Sequence, residues 1–224
     1  MPAEPPPPIP GATVVPLRDG PSGLEVLLVE RAAAIAYGGM WAFPGGRVED
    51  GDAHPDRPDD EVERARRTAV REAEEEVGLV FPGDALVPLS HWTGGASRAR
   101  LYAAWYFVAP APSAAVVPDG HETVAHRWIG PAEAVACRDR GEIALVAPTW
   151  VTLHTLAGAR SVADALADAR ARPPVVYRSR TAVDGDRRIV LWDGDAGYPT
   201  ADPARPGPRH RLVMGADGWR LERT

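Results

Sequence analysis

Residues 71–79 read Arg71-Glu72-Ala73-Glu74-Glu75-Glu76-Val77-Gly78-Leu79. Ala, Glu and Arg dominate from about Asp59 to Val77, and Gly78 stands where a helix C-cap belongs, so the stretch predicts the end of a helix. At about 100° per residue, Glu72, Glu75 and Glu76 project within an arc of about 100°, one turn apart. Carboxylates so close repel one another unless a cation sits among them, and hard divalent cations such as Mg²⁺ or Mn²⁺ take oxygen ligands of this kind. The competing reading is a solvated acidic face. Val62, Ala65, Ala69, Ala73 and Val77 recur at spacings of three and four, which turns a neighbouring stripe toward a core and draws the acidic cluster into partial burial.

Working outward, Phe43-Pro44-Gly45-Gly46-Arg47-Val48-Glu49 predicts a strand end at Trp41–Phe43 followed by a double-glycine loop. Such a loop lets backbone approach a ligand or offer a carbonyl to a metal. Further strands are expected at Thr13–Leu17, Leu24–Val29, Leu86–Trp92, Leu101–Ala109 and Ala125–Ile129. Helices are expected at Pro131–Arg138, Pro148–Leu156 and Val162–Ala171, the last with Ser161 as N-cap. Interleaved strands and helices give an α/β class. Residues 1–10 read as a flexible Pro-rich arm, 11–172 as the main domain, and 173–224 as a small C-terminal β extension without an independent core. That extension would cover a sheet edge or build a homodimer contact.

Composition narrows the chemistry. The 224 residues carry a net charge of −6, and all 25 basic residues are Arg, with no Lys, Asn or Gln. Without Lys there is no Walker-type phosphate loop and no Schiff base. The acidic balance argues against a nucleic-acid partner, and no apolar run approaches the length of a membrane span. The N-terminal stretch has no basic start or apolar core, so it does not read as a signal peptide, and a cytoplasmic location is expected. Cys137 is the one cysteine, which excludes an internal disulfide, and it reads as packed. His121 and His126 flank Glu122 in a sequence that invites a zinc-protease reading, but they are five residues apart where that motif needs four.

Pro44-Gly45-Gly46-x-x-Glu49-x-Gly51-Asp52 followed by Arg71-Glu72-x-x-Glu75-Glu76-x-Gly78-Leu79 resembles the Nudix box: Gly, five residues, Glu, seven residues, Arg-Glu-apolar-x-Glu-Glu-x-Gly-apolar. The second half matches residue for residue, with Ala73 and Leu79 in the apolar slots. In the first half, 18 residues separate Asp52 from Arg71, consistent with an insertion at about 53–63 inside a box spanning 46–79, and either Asp52 or Glu63 fills the first acidic slot. Gly39-Met40-Trp41-Ala42-Phe43 resembles the family's strand entering the box, and Glu122 with Trp128–Ala134 resembles its later strand and helix. The insertion, with Gly141-Glu142-Ile143 and Pro148-Thr149-Trp150, resembles the branch that contains coenzyme A diphosphatases.

The resemblance implies a Nudix-type α/β/α sandwich with a mixed sheet, and a hydrolase that cleaves a nucleoside-diphosphate-linked small molecule with Mg²⁺ or Mn²⁺. Carried over residue by residue, Glu72, Glu75, Glu76 and the Gly46 carbonyl would hold metal, and Arg71 would orient the carboxylates. Glu122 would be a further ligand or the general base; a solvated loop acid is its other reading. Arg47, Arg98 and Arg100 are candidates for substrate phosphate, with solubilising charge at a strand edge the alternative for the latter pair. Coenzyme A or an acyl derivative, another nucleotide conjugate or triphosphate, and a non-catalytic binding module on the same fold are the three functional readings.

Overall fold

The computed structural model describes residues 7–97 and 100–224, with the backbone alone at 95–97 and 100. Strands β1 (Ile9–Gly20) and β2 (Gly23–Arg31) form an antiparallel hairpin with Leu17 opposite Val26 and Gly20 opposite Gly23. The arm expected over residues 1–10 is corrected at its end. Ile9 and Pro10 already belong to β1, where Pro10, lacking an N–H, accepts a hydrogen bond from Val48 N–H at 3.0 Å. Strand β3 (Met40–Ala42) pairs antiparallel with β2. The double glycine expected as a loop is itself a short strand, β4 (Gly45–Arg47), because β1 extends far enough to pair with it: Gly11 opposite Arg47, Ala12 opposite Gly46, Thr13 opposite Gly45.

Helix α1 (Glu61–Val77) starts where the Asp60 carboxylate accepts from Glu63 N–H at 3.0 Å and ends at Gly78, whose φ of +69° suits glycine. The insertion is therefore a loop only to Asp60; Glu61–Glu63 form the first helical turn. Ala65, Ala69, Ala73 and Val77 are fully or almost fully buried against Val14, Leu27, Val29 and Phe107, with Val62 packed at the margin. Each Val, Leu or Phe so covered contributes about 2 kcal/mol.

After β5 (Val87–Ser97) and β6 (Arg100–Pro110) come β7 (Thr123–Ile129), α2 (Pro131–Asp139), β8 (Ala144–Leu145), α3 (Ala147–Leu156) and α4 (Val162–Arg170), the last capped by Ser161 accepting from Asp164 N–H. The sheet runs β8-β3-β2-β1-β6-β5, with β4 also on β1 and β7 also on β2. It is mixed, since β3 and β8 pair in parallel. Leu27 and Val29 face α1; Val26 and Leu28, equally buried, alternate to the opposite face, where α2 packs on β2 and on α3. This gives the α/β/α layering. The β2–β7 ladder carries a one-residue irregularity: Glu30 faces Ala125 but Arg31 faces Thr123, skipping Val124.

The chain forms two compact units, Pro10–His91 with Ala104–Val175, and a smaller one holding Trp92–Ala103 and Val176–Thr224 together with Ile9. In the smaller unit β9 (Val175–Arg178) joins β5, and β10 (Arg180–Asp184), β11 (Arg187–Leu191), β12 (His210–Gly215) and β13 (Gly218–Arg223) form an antiparallel sheet in that order. The tail, read as having no independent core, builds its aromatic core together with Trp92 of β5. Trp92 stacks on Tyr177 at 3.9 Å, Trp192 meets both edge-on, and Arg211 is buried on Asp195 at 2.7 Å. Among the described residues no helix is long and apolar enough to cross a membrane.

Candidate active site

Gly45 sits at φ +156°, and a Cβ there would lie 2.3 Å from the Ala12 carbonyl oxygen, so only glycine lets β4 close on β1. Its N–H donates to Glu76 Oε2 at 3.0 Å. A Cβ on Gly46 would lie 2.4 Å from the Glu72 carboxylate. Glu72 and Glu76, one helical turn apart, thus lie directly against this glycine pair. The ladder sets the phase: the Gly45 N–H and Arg47 carbonyl point toward α1, so the backbone groups of Gly46 between them face β1. The carbonyl expectation placed on Gly46 is corrected accordingly; Gly45 is the glycine whose backbone faces the carboxylates.

Arg71 ties the cluster to the loop before the helix. Its Nε and Nη2 reach Asp52 Oδ1 and Oδ2 at 3.0 and 3.1 Å, Nη2 also donates to the Arg47 carbonyl at 3.0 Å, and Nη1 lies 3.0 Å from Glu72 Oε1 and 2.8 Å from Glu75 Oε2. Asp52 is buried, and it also accepts from Thr68 Oγ1 at 2.7 Å and Glu49 N–H at 2.9 Å. Burial alone would raise its carboxyl, but the bonds from Arg71, Glu49 and Thr68 outweigh that and hold it below the usual range. Of the two candidates for the first acidic slot, Asp52 is the one joined to Arg71; Glu63 pairs instead with Arg66 and Arg57.

The electrostatics are those of a site with too much negative charge. Burial raises Glu76 to about 7, with Glu72 and Glu122 adding repulsion and the Gly45 N–H and Arg31 opposing it. Glu72 is raised by burial too, against the pull of Arg71, with Glu75 and Glu122 adding to the rise. Glu122 therefore acts on both buried carboxylates from β7's leading turn. Glu76 Oε1 is buried without a hydrogen-bond partner; the Arg31 guanidinium is 3.8 Å away. A buried orphaned carboxylate oxygen among mutually repelling carboxylates suits a divalent cation. Glu75 is more exposed and held by Arg71, and among the described residues no three acidic, His or Cys side chains converge as a ready-made metal cluster.

Arg47 is exposed beside Gly46, with its side chain directed to solvent and its carbonyl taken by Arg71. Arg98 lies outside the described residues, as does the side chain of Arg100. Cys137 is buried, as expected. Sequence reasoning missed Arg31, whose signal was only its place at the end of an apolar strand, and Asp119, on the turn before β7. Trp41, Trp92 and Trp150 are core residues, and Trp105 and Trp128 pack on the α1 cluster.

A family model described as the NUDIX domain matches residues 7–149. The chain belongs to the NUDIX family. Its members include hydrolases acting on phosphoanhydride bonds, generally with divalent metals, and the Nudix fold read from the box is the fold observed. A NUDIX hydrolase from Alicyclobacillus acidocaldarius superposes with a TM-score of 0.63 at 21% identity, over 72% of this chain and 96% of that one. The NUDIX domain of Shewanella oneidensis NrtR, solved with ADP ribose, superposes with a TM-score of 0.52 at 15% identity, over 66% and 86%. No curated protein sequence matches this NUDIX chain.

Proposed function

We propose that this NUDIX protein is a divalent-metal-dependent hydrolase that cleaves the phosphoanhydride bond of a nucleoside-diphosphate-linked small molecule, with coenzyme A or an acyl derivative as the specific substrate. The observation that carries the reading is the buried Glu72–Glu76 pair on Gly45-Gly46, with Glu76 Oε1 unsatisfied.

Glu72, Glu76 and the backbone of Gly45 would hold Mg²⁺ or Mn²⁺, with Glu75, held by Arg71, as the outer carboxylate. When bound, the cation neutralises diphosphate charge and acidifies the attacking water. Arg71 keeps Glu72 and Glu75 oriented while its anchor, Asp52, stays ionised. Glu122 accepts the proton of the water as its oxygen bonds to phosphorus and the P–O bridge breaks toward the leaving phosphate. Arg47, exposed beside Gly46, would steady the phosphate oxygens.

The test is product formation from coenzyme A, acyl-coenzyme A, ADP-ribose and dGTP with Mg²⁺ or Mn²⁺, beside Glu76→Gln. Cleavage of coenzyme A by the parent, lost in the variant, is the expected result. Cleavage of another diphosphate instead discards the coenzyme A assignment, and cation-independent cleavage discards the mechanism. A second reading, a ligand-binding module, is favoured by the Arg71 Nη1 contacts that occupy both Glu72 and Glu75; ligand binding without turnover across the panel would select it.

A further inference from the structure

The turn that carries Glu122 is fixed by one side chain. Asp119 Oδ1 accepts from the backbone N–H groups of His121 at 3.2 Å, Glu122 at 3.2 Å and Thr123 at 2.8 Å, and Oδ2 accepts again from Glu122 N–H at 3.2 Å. The turn is closed by Gly120 N–H donating to the Thr123 carbonyl at 3.0 Å. It is also moored at both sides of the site. Asp119 N–H donates to the Glu76 carbonyl at 3.0 Å, Val117 N–H donates to the Val77 carbonyl at 3.0 Å, and the Glu122 carbonyl accepts from Ala32 N–H at 2.8 Å, next to Arg31. Thr123, where β7 begins, is fully buried, whereas the Glu122 side chain is exposed. The backbone of Glu122 is thus held by the end of α1, the end of β2 and the Asp119 carboxylate, while its side chain stays free to meet water and ligand.

We propose that Asp119 is a positioning residue: by gathering the amides of residues 121–123 and tying them to the Glu76 carbonyl, it aims the Glu122 carboxylate at the Glu72–Glu76 pair. Asp119 touches neither substrate nor metal. The proposal rests on the reading of Glu122 as the base or outer ligand. A carboxylate at 119 suits this work because it accepts several N–H groups at once without donating, and charge-assisted acceptors make the stronger bonds. That Glu122 raises both Glu72 and Glu76 agrees with the aim the turn gives it.

The experiment compares Asp119→Ala, Asp119→Asn, Glu122→Gln and the double variant Asp119→Ala/Glu122→Gln in the full chain. Turnover is measured on whichever of coenzyme A, ADP-ribose and dGTP the parent cleaves fastest. Asp119→Ala is expected to lower kcat at least tenfold with KM changed less than twofold. Asp119→Asn, which keeps the Oδ1 acceptor, is expected within about threefold of the parent. In the Glu122→Gln background, Asp119→Ala is expected to lower kcat no further. A multiplicative loss in the double variant, or an Asp119→Asn as slow as Asp119→Ala, overturns the proposal. Parent-like turnover of Glu122→Gln removes the reading of Glu122 and the proposal with it; a slow Glu122→Gln beside a parent-like Asp119→Ala removes the proposal alone. Mn²⁺ binding without substrate gives a readout independent of catalysis: equal affinity for Asp119→Ala and Glu122→Gln supports action through Glu122, and unequal affinity overturns it.

Discussion

Gly45 and Glu76 meet across the gap between β4 and α1, the glycine N–H satisfying Oε2 at 3.0 Å and leaving Oε1 buried without a hydrogen bond. Burial holds this carboxyl up to about 7. A carboxyl raised in the folded state contributes stability that is present below the usual value of 4.5 and is lost as pH rises through about 7. Metal-free protein is therefore expected to lose stability over that window, and Glu76→Gln to flatten the loss. Mg²⁺ or Mn²⁺ at pH 8 should raise the Tm of the parent and not of the variant. Thermal unfolding between pH 4 and 8, with and without the cation, checks this; a Glu76→Gln profile parallel to the parent's would refute it.

The two adjacent glycines should separate stability from activity. At Gly45 an added Cβ meets backbone at 2.3 Å in a φ region that side chains rarely adopt, so Gly45→Ala should destabilise by about 3 kcal/mol. At Gly46 the obstacle is the flexible end of Glu72, which can swing away. Gly46→Ala should unfold within about 1 kcal/mol of the parent yet lose most cation-dependent turnover. Denaturant titration beside rate measurements distinguishes the two; equal effects on stability would contradict the geometry.

Arg71 joins Asp52, Glu72, Glu75 and the Arg47 carbonyl through a planar fork that Lys lacks. Arg71→Lys is expected to fold and to lose about tenfold or more in kcat. Arg71→Ala also strands the buried Asp52 carboxylate, at a cost of about 3 kcal/mol. A double variant with Asp52→Asn should recover part of that stability and none of the turnover.

The parts of the site that follow helical geometry were legible from the chain alone. Glu72, Glu75, Glu76 and the Ala65–Ala69–Ala73–Val77 stripe fall where about 3.6 residues per turn puts them. The parts that depend on pairing between distant segments were not. Whether Gly45 or Gly46 faces α1 is decided by the phase of the β1–β4 ladder, and Asp52 rather than Glu63 meets Arg71 because the one-turn helix at Asp50–Asp52 folds the loop back before α1 begins. Strand β10 leaves little pattern to read, because only Ala182 along it is buried, between Arg180 and Asp184. The core of the C-terminal unit was hidden for a related reason: Trp92 and Tyr177, which stack on each other, are far apart in the sequence.

The buried Asp195–Arg211 pair sets the acid limit of the smaller unit. Burial alone would raise the Asp195 carboxyl, but hydrogen bonds from Arg211, His210 N–H and Gly197 N–H bring it down to about 2. A lowered carboxyl contributes stability that is present above the usual 3.8 and is lost as pH falls through about 2. Amide protection factors over residues 187–215 should fall between pH 4 and 2 in the parent. Asp195→Asn should show lower protection at neutral pH and little further fall on acidification, since Arg211 is already left short of its counter-charge.

The unpaired residue at Val124 takes up a slip in count. In a pleated strand, facing alternates with every step, and leaving one residue out of the ladder lets everything beyond it meet β2 in regular alternation. Thr123 is consequently shut in while Val124 is half open to solvent. The segment leading into β7 thus arrives with Glu122 on the side where the box carboxylates wait. Removing this single valine would leave Thr123 opposite Arg31 and keep that acid on the same face, whereas adding a residue after it, with the β2 partners unchanged, would need a second unpaired position. The facing of Glu122 is therefore written in which residues pair with β2, and not in the count along β7 alone.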